Sequence, residues 1–145
     1  MIAEIYDATP AESFTGATPR LLNVSVLKPL GAGFTVGFVV GGNVPKNVLV
    51  RAIGPTLGTA FLLGGVVSDP QLALYSGQTV IGANDNWGGG APLASAFASV
   101  AAFVLPPDSK DAAVTAALSP GNYTVQVSGV AGVTGTILVE IYELP

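Results

Sequence analysis

The run Asn122-Tyr123-Thr124-Val125-Gln126-Val127-Ser128 decides the fold class, because apolar and polar side chains alternate along it without a break. Successive side chains of a β-strand point to opposite faces of a sheet, so such a run has one face in a core and the other toward water. The same alternation surrounds Val24, Val50 and Val139. The sequence therefore predicts several strands that each bury one face.

Turn residues separate these strands along the chain. Ser119-Pro120-Gly121-Asn122 is typical of a tight turn, and Ser76-Gly77-Gln78 of a short hairpin. Gly129-Val130-Ala131-Gly132 is expected to join the last two strands as another hairpin. Residues 92–102 carry apolar side chains at helical spacing and predict one short helix across one end of the sheets. We therefore predict an all-β fold, an antiparallel, jelly-roll-like β-sandwich of about nine strands with one short helix near 92–102.

The composition limits the chemistry that the chain can perform. Its 145 residues include no Cys and no His, which excludes thiolate metal sites, cysteine nucleophiles and the usual general base. Nothing in the sequence brings Asp108 and Asp111 together with another acid, so both are interpreted as solvated loop charges. Gly54-Pro55-Thr56-Leu57-Gly58 lacks the Lys of a phosphate loop and is interpreted as a turn or strand exit. We predict no catalytic residues and no enzymatic activity.

The low charge of the chain restricts its partners. Charged residues make up 10% of it, with a net charge of −4, whereas an ordinary soluble domain has roughly 25% charged residues. Without a basic patch, binding to nucleic acid or to an anionic membrane is not expected. Uncharged stretches are interrupted by Pro and Gly, so membrane insertion is not expected either. The N-terminus does not have the pattern of a signal peptide.

The start of the chain nearly repeats its end. Ala3-Glu4-Ile5-Tyr6-Asp7 returns as Val139-Glu140-Ile141-Tyr142-Glu143, which indicates one unit of a head-to-tail series. We divide the chain into residues 1–19, a duplicated strand with a hinge, and residues 20–145, the sandwich body. The hinge, residues 8–19, spans roughly 40 Å when extended. The predicted subunit-linking residues are Ala3, Glu4, Ile5, Tyr6, Asp7, Val139 and Ile141.

This repeat predicts a structural subunit of an extracellular filament or surface array, with a second copy of the chain as its partner. The N-terminal strand of one molecule inserts into, swaps with or adds beside a strand of the next. Because the body keeps its own strand at residues 139–142, the sequence leaves these modes open. The alternative function is a non-catalytic binding or spacer module of a larger secreted protein.

The loop Asn84-Asp85-Asn86-Trp87-Gly88-Gly89-Gly90 is the most polar part of the chain. Its carboxylate and amide oxygens are ligands that calcium accepts, so Asn84, Asp85 and Asn86, with Asp69, form a candidate calcium site. In the binding-module alternative, the same loop contacts calcium or a glycan. A turn stabilised by Asn and Asp side chains, with Trp87 covering the core, explains the same residues without a ligand. Arg51 lies within a strand pattern and is expected to form a structural ion pair.

An ordered series of motifs covers the chain from Arg20 onward. These motifs are Arg20-Leu21-Leu22-Asn23-Val24-Ser25, Gly37-Phe38-Val39-Val40-Gly41-Gly42, residues 45–57, Ser68-Asp69-Pro70-Gln71-Leu72, Asn84-Asp85-Asn86-Trp87, residues 118–124 and Val139-Glu140-Ile141-Tyr142. By them the chain resembles a domain that large secreted bacterial proteins carry in tandem or near the C-terminus. The C-terminal half is also loosely similar to the β-sandwich domains appended to secreted peptidases. The resemblance implies an extracellular β-sandwich module without a catalytic role.

Overall fold

The computed structural model describes residues 4–6, 8–13, 15 and 17–145. Within these residues it has eight β-strands, two α-helices and two short 3-10 turns. The strands are β1 (Asn23–Leu30), β2 (Phe34–Val40), β3 (Lys46–Ile53), β4 (Pro70–Ser76), β5 (Thr79–Asn84), β6 (Ala112–Leu118), β7 (Gly121–Gly129) and β8 (Gly135–Glu143). The helices are α1 (Pro55–Ala60) and α2 (Ala91–Ser99), and the 3-10 turns are Ala11–Ser13 and Val130–Gly132.

The strands form two antiparallel four-stranded sheets, in the orders β1-β8-β3-β6 and β2-β7-β4-β5. This order results when a long hairpin is rolled up, because β1 pairs with β8, β2 with β7, β3 with β6 and β4 with β5. It is the jelly-roll arrangement of two packed sheets. The predicted all-β sandwich is therefore confirmed. The expected number of about nine strands is corrected to eight in the described part of the chain.

The main core lies between the two sheets. Alternate residues of each strand point into it, as the period-2 pattern predicts, and β7 contributes Tyr123, Val125 and Val127. From the opposite sheet, β8 contributes Ile137, Val139 and Ile141. All six are buried. Each such side chain gains roughly 1.5–3 kcal/mol from leaving water, so this layer contributes strongly to the stability of the fold.

The outer face of the β1-β8-β3-β6 sheet is also covered. A second apolar cluster lies on it, made of Leu49, Ile53, Leu57, Trp87, Phe97, Ala102, Leu105 and Ala113. Helix α2 supplies Phe97 to this cluster and therefore lies on a face of the sheet, not across one end as the sequence suggested. The helix ends at Ser99, before the predicted residue 102, because Ala101 has a φ of 53°, outside the helical region.

Helix α1 replaces the turn expected at residues 54–58. Its first N–H groups need an acceptor, and the Asp111 carboxylate supplies it. Oδ1 accepts from the N–H groups of Gly54 (2.8 Å) and Thr56 (3.4 Å), and Oδ2 accepts from the Thr56 hydroxyl. Asp111 is fully buried, so its interpretation as a solvated loop charge is wrong. Residue 54 has to be Gly because a Cβ there would lie 2.0 Å from the carbonyl oxygen of Val67.

One of the two predicted hairpins forms. Gly77 and Gln78 connect the paired strands β4 and β5 as expected. The segment Gly129–Gly132 does not form a hairpin, because β7 and β8 belong to different sheets and the chain crosses between them there. The long-range partners of β8, which are β1 and β3, determine this connection.

Candidate functional site

Strand β8, whose sequence the start of the chain repeats, lies inside its sheet. It pairs with β1 on one side, where Tyr142 is opposite Asn23, and with β3 on the other, where Tyr142 is opposite Leu49. We call this position between β1 and β3 the β8 slot. A strand in the slot has both of its hydrogen-bonding edges satisfied by neighbouring strands. The free edges of this sheet are β1 and β6, so no second strand can add directly beside β8.

The outer side of the slot contains a buried ion pair. Arg51 of β3 lies directly opposite Glu140 of β8 and is fully buried. Its Nε and Nη2 donate to Oε2 of Glu140 at 2.9 Å and 2.5 Å, and Nη1 donates to the carbonyl oxygen of Phe103 at 2.7 Å. The rings of Phe97 and Phe103 lie 4.9 Å and 4.5 Å from the guanidinium carbon. The expectation of a structural ion pair at Arg51 is confirmed.

The second carboxylate oxygen of Glu140 accepts hydrogen bonds from two neighbouring hydroxyl groups. Oε1 accepts from the Tyr142 hydroxyl at 2.9 Å and from Ser25 Oγ at 3.4 Å. Burial raises the pKa of Tyr142, and the hydrogen bond to Glu140 raises it further. Glu140 and Tyr142 are therefore parts of the site that the sequence analysis missed. Both occur unchanged in the repeated triplet, and that identity was the available signal.

The end of the slot carries an outer ion pair. Glu143 receives two hydrogen bonds from Arg20, at 3.1 Å and 2.8 Å, and its Oε1 lies 3.0 Å from Lys46 Nζ. The hydrogen bond from Arg20, with the nearby Lys46, lowers the pKa of Glu143 to about 2. Arg20 is the first residue of the predicted body, and this bond joins it to the last strand. The division of the chain at residues 19 and 20 stays a prediction.

The repeated triplet at the start of the chain is exposed. Glu4-Ile5-Tyr6 belongs to neither sheet, and Ile5 and Tyr6 are 71% and 78% exposed. The matching residues of β8 are covered: Glu140 and Ile141 are buried and Tyr142 is half-buried. Two predicted linking residues, Ala3 and Asp7, lie outside the described residues. The linking role of all seven predicted residues stays a prediction.

The candidate calcium residues are partly engaged in structural bonds. Asn84 Oδ1 accepts from the N–H of Ala113 at 3.0 Å, and its Nδ2 donates to the carbonyl oxygen of Asn86 at 2.9 Å. Asp85 is exposed. Asp69 Oδ2 lies 2.5 Å from Lys110 Nζ, and its Oδ1 is buried without a hydrogen-bond partner in the described structure. Among the described residues, no three acidic side chains group around one point. The calcium site stays a prediction.

Trp87 is buried and does not offer its ring to a ligand. Its Nε1 donates to the carbonyl oxygen of Pro106 at 2.9 Å and to Ser109 Oγ at 3.2 Å, and its ring packs against Phe97. The backbone N–H of Trp87 also donates to the carbonyl oxygen of Asp111. The expectation that Trp87 covers a core is confirmed.

Two open grooves lie beside the C-terminal residues Leu144 and Pro145. One, of about 450 Å³, is lined mainly by α2 and β6, and the other, of about 540 Å³, adjoins Arg20 and Tyr142. Among the lining residues, Glu143 has the one acidic side chain, and it is already bound to Arg20 and Lys46. Neither groove therefore offers the pair of acids that hydrolysis of a glycoside needs. None of the helices in the described part of the chain is long and apolar enough to span a membrane.

Six chains of known structure resemble this chain, among them a collagenase domain and a lysozyme inhibitor. No family model matches the chain, and no curated protein matches it. A pre-peptidase C-terminal domain of a collagenase from Bacillus anthracis is 13% identical to this chain and has a TM-score of 0.49. The match covers 83% of this chain and 89% of that domain. PliG from Aeromonas hydrophila, a periplasmic inhibitor of g-type lysozyme, is 11% identical to this chain and has a TM-score of 0.48. The match covers 84% of this chain and 86% of PliG. The jelly-roll assignment rests on the strand order of this chain itself.

Proposed function

We propose that the protein is a non-catalytic structural subunit of an extracellular filament or surface array, whose copies are joined head to tail through the N-terminal strand. One observation carries the proposal: Glu4-Ile5-Tyr6 copies three residues of an interior strand, yet it is exposed and unpaired with either sheet. A strand with apolar residues finds its stable place in a sheet, because pairing satisfies its backbone groups and buries its side chains.

The surface of the body supports contact with other copies. Several large apolar side chains are more than half exposed on the described residues, among them Leu21, Leu22, Leu27 and Val39. Only 10% of the chain is charged, so little repulsion opposes the approach of a second copy. Joining through one N-terminal strand per molecule uses different surfaces on the two partners. Such heterologous contacts form an open series unless the rotation closes a ring.

The buried acids also favour a structural function. Asp111 is bound to the start of α1, and Glu140 is bound to Arg51. Both carboxylates thus hold backbone or side-chain donors in place, which leaves them unsuited to exchange protons with a substrate.

Size measurement of the purified full chain tests the proposal. We expect multi-angle light scattering and electron microscopy to show a concentration-dependent series of oligomers or filaments. Deletion of residues 1–12 should leave a folded monomer with an unchanged circular dichroism spectrum. The matched control replaces Leu62, which is also strongly exposed, with Ser and should assemble normally. A full chain that stays monomeric at millimolar concentration, under conditions in which it is folded, would contradict the proposal.

The second candidate is a binding or spacer module of a larger secreted protein that holds calcium or a glycan at residues 84–90. The buried, unpartnered Oδ1 of Asp69 favours it, because a buried carboxylate oxygen normally has a partner. Calcium at one hundred times its dissociation constant should stabilise the chain by about 2.7 kcal/mol. Thermal unfolding with calcium and with a chelator measures this, and Asp69→Asn is the control that should remove the difference.

A further inference from the structure

The structure indicates where the N-terminal strand binds. We infer that Glu4-Ile5-Tyr6 of one copy enters the β8 slot of a second copy and displaces its β8, with Glu4 taking the place of Glu140 on Arg51. This inference rests on the proposed head-to-tail linkage and specifies its site. It makes Arg51 the residue that selects which strand the slot accepts.

A strand in the β8 slot needs an acidic residue at the position opposite Arg51. Arg51 is fully buried, and only one of its donors is satisfied by a backbone oxygen, that of Phe103. A strand without a carboxylate opposite Arg51 would leave a buried charge unpaired, which is strongly destabilising. Of the nine acidic residues in the chain, only Glu4 and Glu140 are followed by Ile and Tyr. Besides β8, the N-terminal strand is therefore the one segment of this chain that has Glu-Ile-Tyr and can place an acid opposite Arg51.

The alternation of side chains also matches. In an extended strand, Glu4 and Tyr6 point to one side and Ile5 to the other. In β8, Glu140 and Tyr142 lie on the outer face, where Tyr142 donates to Glu140, and Ile141 lies in the core between the sheets. The residues around the two triplets agree as well. Residues 1–7 and 137–143 both have three apolar residues, then an acid, an apolar residue, an aromatic residue and a second acid.

Displacement explains the match better than addition at a free edge. The free edges of the two sheets are β1, β6, β2 and β5. Among the described basic residues, Arg51 is the fully buried one, and it faces the slot from β3, which is itself an interior strand. At the free edges an added acid could pair only with the exposed Lys28 of β1, and such a surface pair contributes little. The presence of Glu at position 4 therefore favours binding in the β8 slot over addition at a free edge.

The exchange is nearly balanced, which makes its direction sensitive to single residues. The entering strand can form the backbone pairings that residues 137–143 of β8 make with β1 and β3, whereas Gly135 and Thr136 of β8 have no counterpart in it. Weakening the resident strand should therefore increase linkage, and weakening the entering strand should decrease it. Edge addition makes no such prediction for β8, because β8 would stay in place.

Disulfide capture between two different chains tests the inference. The protein has no Cys, so single cysteines are specific probes. The N–H of Leu144 donates to the carbonyl oxygen of Asn47, which places residue 144 opposite residue 47. Ala8 follows the N-terminal strand as Leu144 follows its counterpart, and Ala8 and Asn47 are both exposed. Ala8→Cys chains are mixed with Asn47→Cys chains, oxidised and separated on a non-reducing gel. The control mixture pairs Ala8→Cys with Val39→Cys, which is exposed on the other sheet.

We expect at least tenfold more crosslinked heterodimer with Asn47→Cys than with Val39→Cys. Adding Glu140→Gln to the accepting chain should raise the yield several-fold, and adding Glu4→Gln to the entering chain should lower it about tenfold. Circular dichroism of each variant verifies that it is folded, and Glu4→Asp should restore part of the yield. Equal yields in the two mixtures, or a yield that Glu140→Gln leaves unchanged, would overturn the inference.

The outcomes separate this inference from the proposed function. Filaments without the specific crosslink would keep the structural function and reject displacement of β8. A specific crosslink between chains that form no long assemblies would support the slot and reject the filament.

Discussion

Replacing Glu140 with Gln measures how much the buried ion pair stabilises the protein. The substitution keeps the size of the side chain and removes its charge. Arg51 then stays fully buried without a counter-charge, because the strand packing around it leaves no path to water. Charged hydrogen bonds contribute more than neutral ones, and breaking a buried pair by removing one partner costs about 3–5 kcal/mol.

The lower end of that range applies here. Arg51 keeps its bond to the carbonyl oxygen of Phe103 and its contacts with the rings of Phe97 and Phe103. Each contact of a cation with an aromatic ring contributes roughly 0.5–2 kcal/mol of stabilisation. We therefore expect a loss of about 3 kcal/mol, which corresponds to a fall in melting temperature of roughly 10 °C for a domain of this size.

Urea unfolding measures the loss. Trp87 is the one Trp of the chain and is buried, so its fluorescence reports unfolding directly. Glu143→Gln is the control, because its partner Arg20 is 42% exposed and water screens the pair, so its loss should cost much less than the loss of Glu140. Arg51→Met with Glu140→Leu removes both charges and should recover much of the loss. If Glu140→Gln unfolds within 1 kcal/mol of the unchanged chain, the buried pair does not hold β8 and the reasoning about the slot fails.

Three further predictions concern the entering strand, acid and a glycine. Ala3→Val restores the size of Val139 in the entering strand and should strengthen linkage by about 1.6 kcal/mol, roughly tenfold, in the crosslinking yield. The folded pKa of Glu143, about 2, lies below its ordinary 4.5, so its contribution is complete above pH 4.5 and is lost as the pH falls toward 2. The free energy of unfolding, measured with urea across this range, should fall by about 1 kcal/mol more for the unchanged chain than for Glu143→Gln. Gly54→Ala should destabilise the fold by about 3 kcal/mol or more in thermal unfolding, whereas Gly41→Ala, which has open space around it, should have little effect.

Local patterns in the sequence predict the core between the sheets well. The alternation in β7 and β8 gives the correct inward residues, because it depends only on the geometry of one strand. The covered outer face was missed, although Val48–Ile53 is buried at every position and reads as a nearly continuous apolar run. Such a run is typical of a strand that is buried on both faces.

Features that depend on distant partners could not be predicted. Helix α1 is six residues long and takes its capping carboxylate from Asp111, which is far away in the sequence. The segment Gly129–Gly132 looks like a hairpin locally, but β8 pairs with β1 and β3 and so draws the chain into the other sheet. In the candidate site, the repeat identified the two strands, but only the structure shows that Glu140 neutralises Arg51.

The net gain of linkage has to come from outside the slot. Each copy has one slot and two strands that fit it, so the number of paired strands is the same before and after exchange. Apolar residues beside the slot can supply the difference, since Leu22 and Leu27 lie at the edge formed by β1 and are more than half exposed. In the proposed linkage the entering chain would leave the slot beside Leu22, because the N–H of Glu143, the counterpart of Asp7, donates to the carbonyl oxygen of Leu22. Burial of these side chains between two copies would then favour the linked state, while the ion pair with Arg51 fixes the register in which the copies join.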